Sequence, residues 1–202
     1  MKTLLVIIDG LGDDKISAYK EKTVYEYAKH PNLDVLSHRG QLNMISISNN
    51  DFLPESLACT LRLLGVSPNE FPLNRAYMEL LANGRDISEY EMVLRCNLVS
   101  VDSQGRVHSF NGDGLSVEKI NEITAIANSY RSNIEFIHLS GYRNLLVLDK
   151  QEDLLHNCFI KPPHESVDEP IEKLLEDICH KSLLVSTFIN ETRELLKPFA
   201  HD

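Results

Sequence analysis

The stretch that most constrains this chain is Leu4-Leu5-Val6-Ile7-Ile8, which runs directly into Asp9-Gly10-Leu11-Gly12-Asp13. Five consecutive apolar residues, three of them β-branched, predict a strand buried on both faces. Such a strand calls for an α/β sheet, because only neighbouring strands and covering helices can bury it. In open α/β sheets ligands bind just beyond the carboxyl ends of the strands. A carboxylate at Asp9 could hold a hard divalent ion there, and the glycines would let the backbone approach it. The same residues also fit a strand followed by a solvated turn.

The chain has 202 residues, enough for one large domain or two small ones. No apolar run is long enough to span a bilayer, and Met1-Lys2-Thr3 leads straight into the strand without a signal-peptide pattern. Cys59, Cys96, Cys158 and Cys179 are widely spaced and form no CxxC pair, which predicts reduced thiols in a cytoplasmic protein. The net charge of −10 argues against nonspecific nucleic-acid binding. It leaves small anionic substrates open, since a few local arginines or metal ions override the global field.

Helices are predicted over residues 23–29, 32–38 (capped by Asn32 and stopped by Gly40) and 56–64, where Gly65 ends the segment. A short strand is predicted at residues 44–48. The texture changes near residue 90. Strands are expected over 92–102 and 106–110 around Ser103-Gln104-Gly105, then a helix over 117–130 capped by Ser116. Another strand pair is expected at 134–139 and 144–148, around Ser140-Gly141. Pro162-Pro163 and Pro170 mark a connection to two closing helices, 171–181 and 183–196.

Seven short pieces then follow one another in a telling order: Asp9-Gly10-Leu11-Gly12-Asp13, Pro31-Asn32-Leu33-Asp34, Pro54-Glu55-Ser56, Leu63-Leu64-Gly65-Val66-Ser67-Pro68, Arg95-Cys96-Asn97, Gly141-Tyr142-Arg143 and Pro163-His164. In order and spacing the chain resembles the archaeal-type, cofactor-independent phosphoglycerate mutases of the alkaline phosphatase superfamily. The resemblance implies an α/β fold: a partial alkaline-phosphatase-like core over residues 1–90, an inserted α+β substrate-type domain over 91–165, and helices over 166–202 returning to the core. It implies a phosphotransferase acting as an isomerase in glycolysis, with Ser56 as the residue phosphorylated and dephosphorylated. It also implies Asp9 as a metal ligand, two Mn2+ or Zn2+ ions as activators, and Arg95 and Arg143 as substrate contacts. A serine hydroxyl needs a base or metal to become nucleophilic at pH 7. A guanidinium can hold a carboxylate or phosphate through two parallel hydrogen bonds. Read without the family, Ser56 is a helix N-cap, Arg95 and Arg143 are surface arginines at strand ends, and His164 is a loop histidine.

The pattern also departs from the family. Pro-Gly-Ser-Asp is replaced by Pro54-Glu55-Ser56-Leu57, which sets a negative charge beside the serine. Gly-Arg-Gly followed by Glu-Ala becomes Asn74-Arg75-Ala76 followed by Glu79-Leu80, so Arg75 and Glu79 persist without the glycines. An arginine-bearing Ala-Gly-Arg is replaced by Asn111-Gly112-Asp113-Gly114, and the aspartate before Pro-His is Pro162. Family members are roughly twice as long, and their C-terminal half supplies most metal ligands. His30, His38, His108, His138, His156, His180 and His201 show no HxxxH or HxH pairing to replace them. The isolated chain is therefore expected to be catalytically incomplete, and to form a homo-oligomer or take a partner chain over its open sheet. No nucleic-acid or membrane partner is expected; a small phosphorylated substrate is. The alternative is a non-catalytic relative that binds a ligand or partner in a regulatory or structural role.

Overall fold

The computed structural model describes residues 2–8, 11–47, 56–71, 74–112, 115–129, 133–151, 154, 158 and 160–199. The chain divides into two compact units, Met1–Leu53 and Pro54–Asp202. It is a mixed helix and sheet protein, as the sequence predicts.

In the first unit α1 (Val24–Tyr27) starts from a reciprocal cap: Glu26 N–H donates to Thr23 Oγ1 at 3.1 Å, and Thr23 N–H donates to Glu26 Oε2 at 2.9 Å. The second helix, α2 (Pro31–Arg39), corrects the expected Asn32 cap. His30 holds the N-cap position and Pro31 the first helical position, where its missing N–H costs nothing. The His30 ring lies between Asp34 Oδ1 and the Tyr25 carbonyl, each 2.9 Å away. The two expected strands are also corrected. Residues 2–8 and 41–47 adopt no regular structure, with Leu4 86% and Val6 67% exposed and Met44 fully so. The physical reason is a missing ladder. A strand exists only by pairing, and the described residues of this unit offer one isolated bridge, Ile16 to Lys22, and no strand.

In the second unit α3 (Ser56–Leu63) ends as predicted at Gly65, whose φ of +85° lets Val66 N–H reach back to the Leu61 carbonyl at 3.0 Å. Next comes α4 (Arg75–Ala82), an element the sequence reading did not assign. Asn74 caps it, accepting from Tyr77 N–H at 2.8 Å. Then follow β1 (Glu91–Asn97), the short pair β2 (Ser100–Val101) and β3 (Val107–Ser109), α5 (Val117–Ser129), β4 (Ile134–Ser140) and β5 (Arg143–Asp149). Two helices close the chain, α6 (Ile171–Lys181) and α7 (Leu183–Leu196), with the predicted bounds. Ser116 Oγ accepts from Lys119 N–H at 3.3 Å ahead of α5, and Ser182 Oγ accepts from Val185 N–H at 3.2 Å to cap α7.

Three strands form an antiparallel sheet in the order β1-β5-β4. The expected strand over 92–102 is broken at Leu98, whose N–H turns to the Tyr142 carbonyl at 2.8 Å. So β1 pairs along its whole length with β5, and only β2 makes the hairpin with β3. In the hairpin turn the Asp102 carboxylate accepts from the N–H groups of Gln104 and Arg106, which holds it below the usual carboxylate range. The hairpin is tied to the start of α6 by Val107 N–H to the Glu169 carbonyl and Ile171 N–H to the Gly105 carbonyl, both 2.9 Å.

Leu145, Leu146, Val147 and Leu148 of β5 are all buried, because both faces of the strand are covered. On one face Val93, Leu145 and Val147 pack with Ala76 and Leu80 of α4. On the other, Met92, Ile134, Leu146 and Leu148 pack with Leu154, Ile178 of α6 and Val185 and Phe188 of α7. Arg85, just past α4, pins this layer. Its Nη2 lies 2.7 Å from Glu91 Oε1 on β1 and 2.9 Å from Glu135 Oε2 on β4.

Leu80 is fully buried. Leu80→Ala should therefore lower the unfolding free energy by about 2–5 kcal/mol, read from the urea midpoint. Arg85, with help from Ser88, holds Glu91 at about 2, below its ordinary 4.5. A depressed carboxyl stabilises the fold fully above the unfolded value and loses that contribution as pH falls through the folded one. The stability gap between wild type and Glu91→Gln should thus be constant near neutrality and close between pH 4.5 and about 2.

Candidate functional site

The α4-covered face of the sheet is apolar in the middle and charged at both ends. Direct partners on an antiparallel ladder share a face, as do alternate residues of one strand. Arg95 stands opposite Leu145, and Asn97 stands opposite Arg143. Arg95, Asn97 and Arg143 therefore occupy one face, at the end of the sheet nearest the start of α4. Arg95 and Arg143 are diagonal neighbours; such positions lie roughly 7–8 Å apart, within reach of long side chains. The Arg143 guanidinium lies 5.2 Å from the centre of the Tyr142 ring, a cation–π contact.

Helix α4 adds two more groups. Its i,i+4 pair sets Arg75 Nε 3.0 Å from Glu79 Oε1. Arg95 Nε lies 3.1 Å from the other oxygen, Glu79 Oε2. One carboxylate thus sits between two guanidiniums, one from the helix and one from the strand. Helix packing brings this about: Ala76 and Leu80 face the sheet, and Glu79, one residue before Leu80, lands beside β1. Asn97 Oδ1, opposite Arg143, is buried and has no hydrogen-bond partner among the described residues. The other face of the same strands is quieter. Burial pushes the Cys96 thiol up to about 12, so it is no thiolate nucleophile, and His138 Nδ1 pairs with Asn144 Oδ1 at 2.8 Å.

The structure therefore brings Arg95 and Arg143 onto one surface and adds Arg75, Glu79 and Asn97. Arg75 and Glu79 stood out in the sequence only as residues of the family pattern that persist without its glycines; their convergence on Arg95 was not visible there. Ser56 is the first residue of α3 and is exposed. No hydrogen bond or ion pair among the described residues joins it to Arg95 or Arg143. Asp9, the expected metal ligand, and Glu55, the expected charge beside the serine, lie outside the described residues. His164 is exposed, with its ring edge-on to Phe110 at 6.1 Å. Among the described residues no three His, Cys, Asp or Glu side chains are gathered to hold a metal ion. The described residues do not by themselves gather the ligands that a divalent ion needs.

Comparison with known proteins identifies the family. Residues 37–200 match the family model described as 2,3-bisphosphoglycerate-independent phosphoglycerate mutase. The protein of that name from Thermococcus gammatolerans is 29% identical over 201 residues, covering 97% of this chain and 48% of the relative. Its counterpart from Methanosarcina mazei is 26% identical over 178 residues, covering 87% and 44% respectively. A solved cofactor-independent phosphoglycerate mutase from Thermoplasma acidophilum superposes with a TM-score of 0.36 and 23% identity, over 72% of this chain and 39% of that one. The chain spans about half the length of the curated relatives it matches. By the match over most of its length, this chain belongs to the 2,3-bisphosphoglycerate-independent phosphoglycerate mutase family.

Proposed function

We propose that this chain is the substrate-binding and serine-bearing part of a phosphoglycerate-mutase-like phosphotransferase, catalytically incomplete on its own. The observation that carries this reading is the gathering of Arg75, Arg95 and Arg143 at one end of the α4-covered face. In a chain of net charge −10, a local set of three arginines marks a place for an anion. Arginine forks fit the carboxylate and phosphate of a phosphoglycerate, and the unpartnered Asn97 Oδ1 would accept from a substrate hydroxyl. Ser56 Oγ would take the phosphoryl group as the substrate P–O bond breaks, then return it to a second hydroxyl. Exposure at the start of a helix supports that role, because backbone N–H groups there favour a phosphate. Manganese or zinc, with Asp9 among the ligands, would activate the serine; the remaining ligands would come from sequence corresponding to the other half of the relatives' length. The protein would act in the cytoplasm, in the second copy or partner assembly that its exposed apolar segments invite. Among the described residues no helix is long and apolar enough to cross a membrane.

A second reading, a non-catalytic ligand-binding relative, is favoured by one feature: Glu55 and Leu57 replace the glycine and aspartate that flank the family serine. A carboxylate beside a phosphorylated serine repels the phosphate. The two readings separate in one experiment. The purified chain is combined with a polypeptide spanning the other half of a full-length relative, and phosphoglycerate interconversion is assayed with Mn2+ and with Zn2+. The catalytic reading expects turnover that Ser56→Ala abolishes and that Arg95→Ala weakens mainly through a higher KM. Phosphoglycerate binding without turnover under every metal condition would support the second reading instead. Calorimetric Mn2+ titration should show tight binding in the combined sample and none in the chain alone, and Asp9→Asn should remove it.

A further inference from the structure

The geometry points to Glu79 as a positioning residue that holds Arg75 and Arg95 as a two-jawed clamp for one phosphoryl group. This rests on the proposed phosphorylated substrate and names which arginines meet its phosphate. Three facts converge. First, Glu79 contacts both guanidiniums through their Nε atoms, at 3.0 Å and 3.1 Å, the edge nearest the backbone. Second, no hydrogen bond among the described residues engages the terminal Nη atoms of either arginine, and both side chains are partly exposed, 44% for Arg75 and 31% for Arg95. A guanidinium held at Nε still has its two Nη groups to offer a ligand. Third, the cluster carries two positive charges against one negative. It is neither a neutralised ion pair nor a bare cationic patch, and a dianionic phosphate would complete it.

Glu79 Oε2 itself is buried, and its approach to Arg95 is an ion pair without an aligned hydrogen bond. That carboxylate stays in place through α4, whose neighbouring Leu80 is fully buried against the sheet. A fixed anchor reduces the rotamer freedom that two long side chains would otherwise lose on binding. Each arginine comes from a different element, so the clamp exists only when α4 is docked on β1.

Charge and positioning make opposite predictions for Glu79→Gln, which makes the inference testable. Removing a carboxylate makes the site more positive, so a purely electrostatic role predicts tighter anion binding. Loss of the anchor predicts weaker binding. The experiment is a titration of the full chain with inorganic phosphate, followed by calorimetry and by the arginine Nε–H signals in nitrogen-15 NMR. The wild type should show the Arg75 and Arg95 signals moving together with one dissociation constant. Glu79→Gln should bind about tenfold more weakly, equivalent to about 1.4 kcal/mol. Arg75→Ala, which leaves the Glu79–Arg95 pair intact on an exposed position, should weaken binding to a similar extent and serves if Glu79→Gln does not fold. Glycerate, which carries a carboxylate without phosphate, should leave both signals in place.

Equal or tighter phosphate binding by Glu79→Gln would overturn the clamp. So would wild-type signals that phosphate leaves unmoved, or that glycerate moves and phosphate does not. The failure of the underlying function reads differently. A clamp that binds phosphate in a combined sample without turnover would remove the catalytic proposal and leave the clamp. Turnover indifferent to both Glu79→Gln and Arg75→Ala would do the reverse.

Discussion

Strand β5 is the element on which the second unit depends. It is the centre of the sheet, paired antiparallel to β1 on one side and β4 on the other. Four consecutive residues, Leu145 to Leu148, are buried because alternate side chains enter two separate cores. Removing water from both faces of one strand stabilises this region through two cores at once. It also fixes register, since a one-residue slip would exchange the two faces. Two charged clusters lie at the ends of that apolar centre.

The same register places the arginines. With Val93 and Val147 locked opposite each other beneath α4, Arg95 and Arg143 must emerge further along the same face. With Ala76 and Leu80 seated on those valines, Arg75 and Glu79 must lie toward that end as well. At the opposite end Arg85 gathers Glu91 and Glu135. The two ends differ in balance. One arginine meets two carboxylates in the first cluster, and two arginines meet one carboxylate in the other. The first closes the layer; the second keeps a net positive charge.

The first unit shows the converse. Its most strand-like sequence, Leu4 to Ile8, is exposed and irregular, since the described residues around it supply no ladder. Large exposed apolar segments on a folded protein mark surfaces for association. The chain spans about half the length of the curated relatives it matches.

Local structure was legible in the sequence wherever a local rule acts. Gly65 stops α3, Ser116 caps α5, Gly141 turns β4 into β5, and α6 and α7 keep the bounds expected from the sequence. The ordered motifs likewise fixed the family, and they named Arg95 and Arg143. What the sequence could not decide was pairing. It read residues 92–102 as one arm of a hairpin, whereas β1 leaves that hairpin for β5, because strand partners are chosen by the total area they bury and not by proximity in the chain. It read Leu4 to Ile8 as a strand, which no run of residues can be alone. Arg75 and Glu79 were visible only as a surviving pattern, and their meeting with Arg95 required α4 to dock on β1. Capping and turning are settled within a few residues; a charged cluster drawn from a helix and a strand exists only after the core between them has closed.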